Sequence, residues 1–229
     1  MVIDYKKNRI METSSLARRL YGLKLLLKEG FTEESKWFML NREKLKYRMN
    51  LKEDGLLLDF GGYMGDFSAK LLKMNSKLRC KVYELVNQFA NFCQYRFKDN
   101  GNVEVIVSGV SSDGRDLKMY VDGPRTKNDS STYLESFKSV SINSVLDVLE
   151  EVELMKMNIE GMEYECLRAL ESGENLKKVK YLLVQFHNFN STSDKDYRSV
   201  IKIVEKNHTS VFKYRWLWEL YIAKPIPIE

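Results

Sequence analysis

The sequence predicts an α/β fold built on a mainly parallel sheet, and three observations support this. From residue 55 onward, apolar runs of strand length alternate with amphipathic runs of helix length. Three of the chain's 12 glycines stand within five positions directly after the first apolar run, in "LLLDFGGYMGDFSAKLL". The last two apolar runs, "SVFKYRW" and "WELYIAKP", are too close together for a parallel crossover, so the final strand is expected to be antiparallel.

The individual elements follow from the same patterns. The remaining predicted strands are "GLLLDF", "CKVYEL", "VEVIVSGV", "VELMKMNI" and "KYLLVQFH". The predicted helices span 66–74, 87–98, 143–150, 162–172 and 195–206. Between "LKMYVD" and "KSVSI" lies a polar segment, which we interpret as an excursion or hairpin at the carboxyl side of the sheet.

Two helices are predicted before the glycine segment, so we divide the chain into an N-terminal helical extension, 1–52, and a main domain, 53–229. Leu16, Leu20, Leu23 and Leu27 recur at helical spacing, and Thr32 is a good N-cap for the second helix. One interpretation is an amphipathic pair packed on the domain with solvated Lys and Arg. The other is a lid or a basic surface for an acidic partner.

Composition limits the class of protein. A chain of 229 residues with 44% hydrophobic residues can bury a substantial core. The three cysteines are odd in number and form no C-x-x-C pair, which indicates neither a disulfide framework nor a zinc site and fits a reducing, cytoplasmic location. No window has the roughly 18 apolar residues of a membrane span, and "MVIDYKKNRI" lacks the apolar region of a signal peptide.

The net charge of +5 is concentrated near the N-terminus. Residues 1–50 carry 12 Lys and Arg against 6 Asp and Glu, whereas the rest carry 25 against 26. This surplus is modest, and no stripe of alternating aromatic and basic residues accompanies it. The basic N-terminal helices suggest a nucleic-acid substrate, but the small surplus and the missing stripe argue against one.

The glycines and an acid further along the chain predict a nucleoside site. Ligands of open α/β sheets lie outside the carboxyl ends of the strands, where glycine permits close approach of the backbone. Gly61, Gly62 and Gly65 occupy that turn, and Glu84 ends the second predicted strand. A carboxylate at that place can accept hydrogen bonds from both ribose hydroxyls.

Two residues favour an adenosyl cofactor over a dinucleotide. The G-x-G-x-x-G fingerprint would require glycine at position 60, and the chain has Phe60. Asp59, at the end of the strand, would meet the pyrophosphate of NAD with like charge, whereas the ammonium and sulfonium of S-adenosylmethionine would suit it. A purely structural role for Asp59, capping the turn, remains the alternative.

The chain resembles the FkbM-type methyltransferases over about residues 55–190. The resemblance rests on "LDFGGYMGDFS", "VYELVNQF", "VIVSGVSSDG", "SVSINSVL", "LMKMNIEGMEYECLRAL" and "VQFHNFN". It implies a Rossmann-like methyltransferase fold of class I, S-adenosylmethionine as methyl donor, and O-methylation of a sugar or polyketide hydroxyl. Three residues depart from the family pattern: Tyr63 replaces an Asn, Asn158 an Asp and Gln185 a Glu.

The reaction site is expected where the fourth and fifth strands of the domain end. We assign His187 as the general base, because its ordinary pKa of about 6.5 suits proton removal near neutrality. Asn158 and Glu160 complete the predicted catalytic set, and a helix start is the alternative reading of Glu160. We predict no metal, since Asn158 and Gln185 replace charged ligands that Mg²⁺ would prefer.

The predicted binding residues complete the hypothesis. Those for the cofactor, S-adenosylmethionine, are Asp59, Gly61, Gly62, Tyr63, Gly65, Glu84, Leu85, Gly109, Val110 and Asn158. Arg125 and Tyr133, in the polar excursion beside Pro124, are the predicted contacts of the acceptor, and His208 is expected in an exposed loop.

Three functions follow from these predictions. The first is O-methylation of a sugar, glycan or related small molecule by a protein that could form homo-oligomers. The second is a cofactor-binding partner subunit without activity, motivated by Asn158 and Gln185. The third is a nucleic-acid methyltransferase, but the chain lacks the Asp/Asn-Pro-Pro-aromatic signature of amino-methylating enzymes.

Overall fold

The computed structural model describes residues 15–121, 126–127 and 134–225. The strands are β1 (Leu56–Phe60), β2 (Arg79–Glu84), β3 (Val103–Val107), β4 (Gly109–Ser111), β5 (Leu117–Val121), β6 (Thr126–Lys127), β7 (Leu134–Phe137), β8 (Ser139–Ser141), β9 (Val152–Met157), β10 (Val179–Val184), β11 (His208–Tyr214) and β12 (Trp218–Ala223).

Seven helices and two 3-10 helices join these strands. The α-helices are α1 (Ser15–Glu29), α2 (Glu33–Met39), α3 (Asp66–Met74), α4 (Asn87–Phe97), α5 (Ile142–Asp147), α6 (Glu163–Ser172) and α7 (Ser193–Asn207). The 3-10 helices are Arg42–Tyr47 and Asn175–Lys178. These counts apply to the described residues.

A seven-stranded sheet in the order β11-β12-β10-β9-β1-β2-β3 forms the centre of the domain. Strands β3, β2, β1, β9 and β10 run parallel, and β12 is antiparallel to both of its neighbours. The predicted α/β class and the antiparallel last strand are thus confirmed. The chain leaves β1 toward β2 and later returns to β9 on the other side of β1, so a crevice opens at the carboxyl ends of β1 and β9.

The central strands of the sheet are buried on both faces, as their apolar sequences require. Every residue of β1 and of β9 is buried. One face packs against α5, α6 and α7, where Leu167 and Val200 lie in the core. The other packs against α3, α4 and the N-terminal helices, where Leu71 and Trp37 are buried. The polar side chains that enter these strands consequently need partners inside the protein.

The polar excursion begins and ends as a hairpin. β5 pairs antiparallel with β7, from Leu117 opposite Phe137, and also with β6. Residues 122–125 and 128–133 lie outside the described part of the chain. Pro124, Arg125 and Tyr133 are among them, so their predicted contact with the acceptor stays a prediction.

The N-terminal helices pack on the β11–β12 side of the sheet. The Trp37 ring contacts Tyr214 and Phe212, with centroid distances of 5.0 and 6.2 Å. Thr32 caps α2 through a reciprocal pair of hydrogen bonds with Ser35, as its position predicted. None of the helices in the described ranges has the length and apolar character needed to cross a bilayer.

The leucine stripe of α1 faces solvent, contrary to the interpretation that it packs on the domain. Leu16, Leu20, Leu23 and Leu27 are 67%, 58%, 44% and 81% exposed. The residues of α1 that are buried are Gly22 and Leu25, on the other side of the helix. Gly22 decides this orientation, because a Cβ there would lie 2.3 Å from the backbone nitrogen of Met39 in α2.

His208 is not in an exposed loop, contrary to the sequence-based expectation. It begins β11 and is fully buried, with Nε2 2.7 Å from the carbonyl oxygen of Val179. α7 ends at Asn207, one residue beyond the predicted helix, and β11 begins at His208, so no loop separates the helix from the strand. Burial lowers the pKa of His208 below its ordinary value.

Candidate functional site

A cavity of about 600 Å³ lies at the carboxyl edge of the sheet, over the crevice between β1 and β9. This volume is within the range of small-molecule and cofactor sites. Nine of the predicted site residues line it: Gly61, Gly62, Tyr63, Glu84, Leu85, Gly109, Val110, Asn158 and Glu160. Three others, Asp59, Gly65 and His187, are buried and do not line it.

The glycines after β1 are required by the protein itself. A Cβ on Gly61 would lie 2.0 Å from the carbonyl oxygen of Asn158, and one on Gly62 would lie 2.2 Å from Val82 Cγ1. A Cβ on Gly65 would meet the Phe97 ring at 2.8 Å. Gly61 and Gly65 also have φ of 79° and 77°, where other residues are strained. The turn therefore depends on glycine before any ligand is considered.

Asp59 is held beneath this turn by an ion pair. It is fully buried, with Oδ1 2.9 Å from Lys156 Nζ, and its Oδ2 accepts a hydrogen bond from the Ser68 hydroxyl at 2.5 Å. Lys156 also donates to the Gly61 carbonyl at 2.6 Å. The carboxylate is thus neutralised and stabilises the turn from below, so it does not present an unpaired charge to a pyrophosphate. Of the two arguments against a dinucleotide, only Phe60 remains.

Glu84 lies at the carboxyl end of β2, as predicted, and lines the cavity. Its two carboxylate oxygens accept hydrogen bonds from the backbone N–H groups of Tyr63, at 2.6 Å, and Val86, at 2.8 Å. Burial raises the pKa of Glu84, and these two hydrogen bonds oppose that rise. Each carboxylate oxygen can accept a further hydrogen bond, so the group can still bind a diol.

Tyr63 fits its position less well than the asparagine of the family pattern would. Its φ is 51°, in the left-handed region that asparagine tolerates better than aromatic residues do. The side chain packs against Phe89, with ring centroids 4.5 Å apart. This contact gives the cavity an aromatic wall beside Glu84.

His187 is oriented by a residue to which the sequence analysis gave no role. Its Nδ1 lies 2.9 Å from Oε1 of Glu163, which is fully buried at the start of α6. The same carboxylate accepts hydrogen bonds from the N–H groups of Ile159, at 2.8 Å, and Gly161, at 3.0 Å. A carboxylate that accepts the Nδ1 proton leaves Nε2 as the basic nitrogen of the neutral ring. The signal for Glu163 was its place in the "EGME" segment, two residues after a glycine.

Glu160 stands between His187 and the cavity. Its Oε2 is 3.7 Å from His187 Nε2, and the residue adopts a left-handed φ of 53°. Asn158 lies beside it on the cavity wall, and its buried Oδ1 makes no hydrogen bond within the described residues. The wall nearest the predicted reaction site therefore offers one carboxylate backed by an imidazole, and one amide oxygen available to a ligand.

The N-terminal extension also contributes to the cavity, which the sequence analysis left open as one of two interpretations. Tyr47 packs on Phe67 with ring centroids 5.4 Å apart, and the Lys46 ammonium lies 4.4 Å from the centroid of Trp218. Arg18 and Glu43 line the same wall. Nothing in the local sequence indicates which face of the sheet the extension covers, because that depends on contacts with β11 and β12.

The described residues contain no group of three or more His, Cys, Asp and Glu side chains arranged to hold a metal ion. The three nearby candidates, Glu160, Glu163 and His187, are instead engaged with one another.

Comparison with known proteins gives the family. The sequence model of the FkbM methyltransferase domain matches residues 59–212. No curated protein matches significantly. A crystal structure of methyltransferase FkbM from Methylobacillus flagellatus KT superposes with a TM-score of 0.54 at 14% identity, covering 91% of this chain. This chain spans only 60% of the length of that protein.

Two other solved structures align less well. An rRNA methylase from Streptococcus thermophilus has a TM-score of 0.46 at 12% identity, covering 81% of this chain and 95% of that one. A SAM-dependent methyltransferase from Aquifex aeolicus has a TM-score of 0.44 at 16% identity, covering 93% and 98%.

The family match covers more than half of the chain, and it includes the last two residues of β1, the glycine turn, β9, Glu160, Glu163 and His187. The superposition on the FkbM structure supports a shared fold. On this evidence the chain belongs to the FkbM family of methyltransferases.

Proposed function

We propose that the protein is an S-adenosylmethionine-dependent O-methyltransferase that acts on a hydroxyl of a sugar, a glycan or a related small molecule. The observation that carries the proposal is a cavity that joins a wall suited to a nucleoside to a wall with proton acceptors. Glu84 lies on the first wall, and Asn158 and Glu160 lie on the second.

The residues of the first wall suit the proposed donor. Glu84 offers a buried carboxylate to a ribose diol, and Leu85, Phe89 and Val110 offer apolar surface to a purine. Glu160 and the Asn158 amide oxygen provide negative charge and dipole near a cationic group. Bound there, S-adenosylmethionine would supply a methyl group already activated by its sulfonium.

The second wall would position the acceptor and take its proton. The acceptor hydroxyl can donate a hydrogen bond to Glu160, whose carboxylate lies 3.7 Å from His187 Nε2. His187 can accept a proton at Nε2 because Glu163 holds the other nitrogen as a donor. Positioning alone supplies much of the acceleration of such a transfer, roughly 7–11 kcal/mol in favourable intramolecular reactions.

Calorimetry tests the donor site. We expect S-adenosylmethionine and S-adenosylhomocysteine to bind more tightly than NAD, and Glu84→Ala to weaken both adenosyl ligands at least about tenfold, since charge-assisted hydrogen bonds are lost. Glu104→Ala is the matched control, because it removes an exposed carboxylate from the adjacent strand β3. Tighter binding of NAD, or unchanged affinity in a folded Glu84→Ala variant, would contradict the proposed donor.

Catalysis is tested by mass spectrometry after incubation with labelled donor and fractionated cell extract. We expect one added methyl group on a hydroxyl, and a turnover about 10²–10⁴-fold lower in His187→Ala with the affinity for S-adenosylhomocysteine retained. His208→Gln controls for loss of a buried histidine that does not line the cavity. A protein that binds the donor but methylates nothing would instead be a partner subunit.

A further inference from the structure

The wall of the cavity formed by α1, α3 and the 3-10 helix Arg42–Tyr47 is rich in cations. Arg18, Lys46, Lys70 and Lys73 line it, and we call these four residues the basic wall. Two acidic residues line the cavity from these three elements: Glu43 forms an ion pair with Lys46, and Asp66, at the start of α3, forms one with Arg96. Glu84 and Glu160 belong to the edge of the sheet, on β2 and after β9.

Within the basic wall, the charges are only partly compensated. Lys46 forms an ion pair with Glu43, and both side chains are buried. Lys70 and Lys73 have no carboxylate within ion-pair distance among the described residues. They lie three positions apart on α3, so they share one face of that helix.

Contacts place Lys70 inside this set of cations. Its ammonium lies 3.8 Å from the centroid of the Tyr47 ring, which brings it against the N-terminal segment. Burial lowers the pKa of Lys70, Glu43 opposes this, and the nearby Lys46 and Arg18 lower it further. An anion bound here would relieve the repulsion among these cations.

We propose that the methyl acceptor carries a phosphate group and that Lys70 and Lys73 bind it. The charge balance favours the acceptor over the donor, because S-adenosylmethionine has one carboxylate together with two cationic groups. A dianionic phosphate matches two ammonium groups, and lysine binds phosphate as a point charge. This inference rests on the proposed function, since it names the substrate class of the same cavity.

Titration with inorganic phosphate, followed by calorimetry at low ionic strength, tests the binding step without knowledge of the acceptor. We expect wild-type protein to bind phosphate, and the double variant Lys70→Gln/Lys73→Gln to bind it at least about tenfold more weakly. Lys77→Gln is the matched control, because Lys77 is exposed, pairs with Glu53 and does not line the cavity. Acetate serves as the carboxylate probe, and we expect it to bind more weakly than phosphate.

The affinity for the donor product decides between donor and acceptor. We expect S-adenosylhomocysteine to bind the double variant as tightly as it binds wild type. If its affinity falls while that of 5′-methylthioadenosine, which lacks the amino-acid tail, is unchanged, the lysines bind the donor carboxylate and the proposal is overturned. Equal phosphate binding by wild type and the double variant also overturns it.

Failure of the proposed function has a different signature. In that case wild-type protein binds no adenosyl ligand, whereas the phosphate titration still reports on Lys70 and Lys73. The two inferences can therefore fail separately.

Discussion

Neutralising Asp59 should destabilise the protein strongly, because its carboxylate is the partner of a buried ammonium group. The side chains of Asp59 and Lys156 are 0% and 5% exposed, and their charged atoms are 2.9 Å apart. Asp59→Asn keeps an oxygen for the Ser68 hydroxyl but leaves the Lys156 charge uncompensated. Removing one partner of a buried ion pair typically costs about 3–5 kcal/mol.

For a chain of this length, each kcal/mol lowers Tm by roughly 2–4 °C, so we expect Asp59→Asn to lower Tm by about 6–20 °C. Lys156→Met should have a cost of similar size, since it leaves the carboxylate alone and removes the bond to the Gly61 carbonyl. The double variant should be less destabilised than the sum of the single variants, because the two charges are removed together.

Urea unfolding of the four proteins measures this cycle, and calorimetry with S-adenosylhomocysteine gives a second readout. If Asp59 instead contacts the cofactor directly, Asp59→Asn will weaken ligand binding and leave the free energy of unfolding within about 1 kcal/mol of wild type. That result, or strict additivity in the double variant, would refute the assignment of Asp59 to the support of the glycine turn.

Three further predictions follow from the described contacts. Glu163→Gln should lower kcat without changing the affinity for S-adenosylhomocysteine. One amide cannot accept hydrogen bonds from the N–H groups of Ile159 and Gly161 and also from His187 Nδ1. An unchanged rate in single-turnover assays would contradict the role of Glu163 in positioning His187. The free energy of unfolding should fall as pH drops below 6.5, the ordinary pKa of histidine, because the pKa of His208 is lowered in the folded state and the unfolded chain binds the proton more readily. The loss approaches about 1.4 kcal/mol per pH unit. His208→Gln should remove that part of the pH dependence in urea titrations. Leu20→Ala should change stability by no more than about 0.5 kcal/mol, whereas Leu25→Ala should cost about 2–5 kcal/mol, and equal costs in thermal unfolding would show that the orientation of α1 is wrong.

The sheet could be predicted from the sequence because each strand carries its own signal. The runs "LLLDF" and "VELMKM" are apolar and bounded by turn residues, and both are strands. The antiparallel last strand followed from the short connection between β11 and β12. These features depend on residues close together in the chain.

What could not be predicted depends on residues far apart. Lys156 is 97 positions from Asp59, and neither residue by itself indicates that they pair beneath the glycine turn. A lysine inside a buried strand was the available signal, because such a charge needs a partner. The orientation of α1 was missed for a related reason, since the exposed leucines and the buried Leu25 are equally apolar, and only the contact of Gly22 with α2 distinguishes the two faces.

The walls of the cavity come from two parts of the chain, the family domain and the sequence that flanks it. The family domain spans residues 59–212, yet Arg18, Lys46, Tyr47 and Trp218, which close one side of the cavity, lie outside it. The residues proposed to bind the donor lie within the domain, whereas part of the rest of the cavity wall is formed by flanking sequence. Exchange of those flanks between two family members would replace the N-terminal side of the cavity and leave Lys70 and Lys73, which lie within the domain, in place.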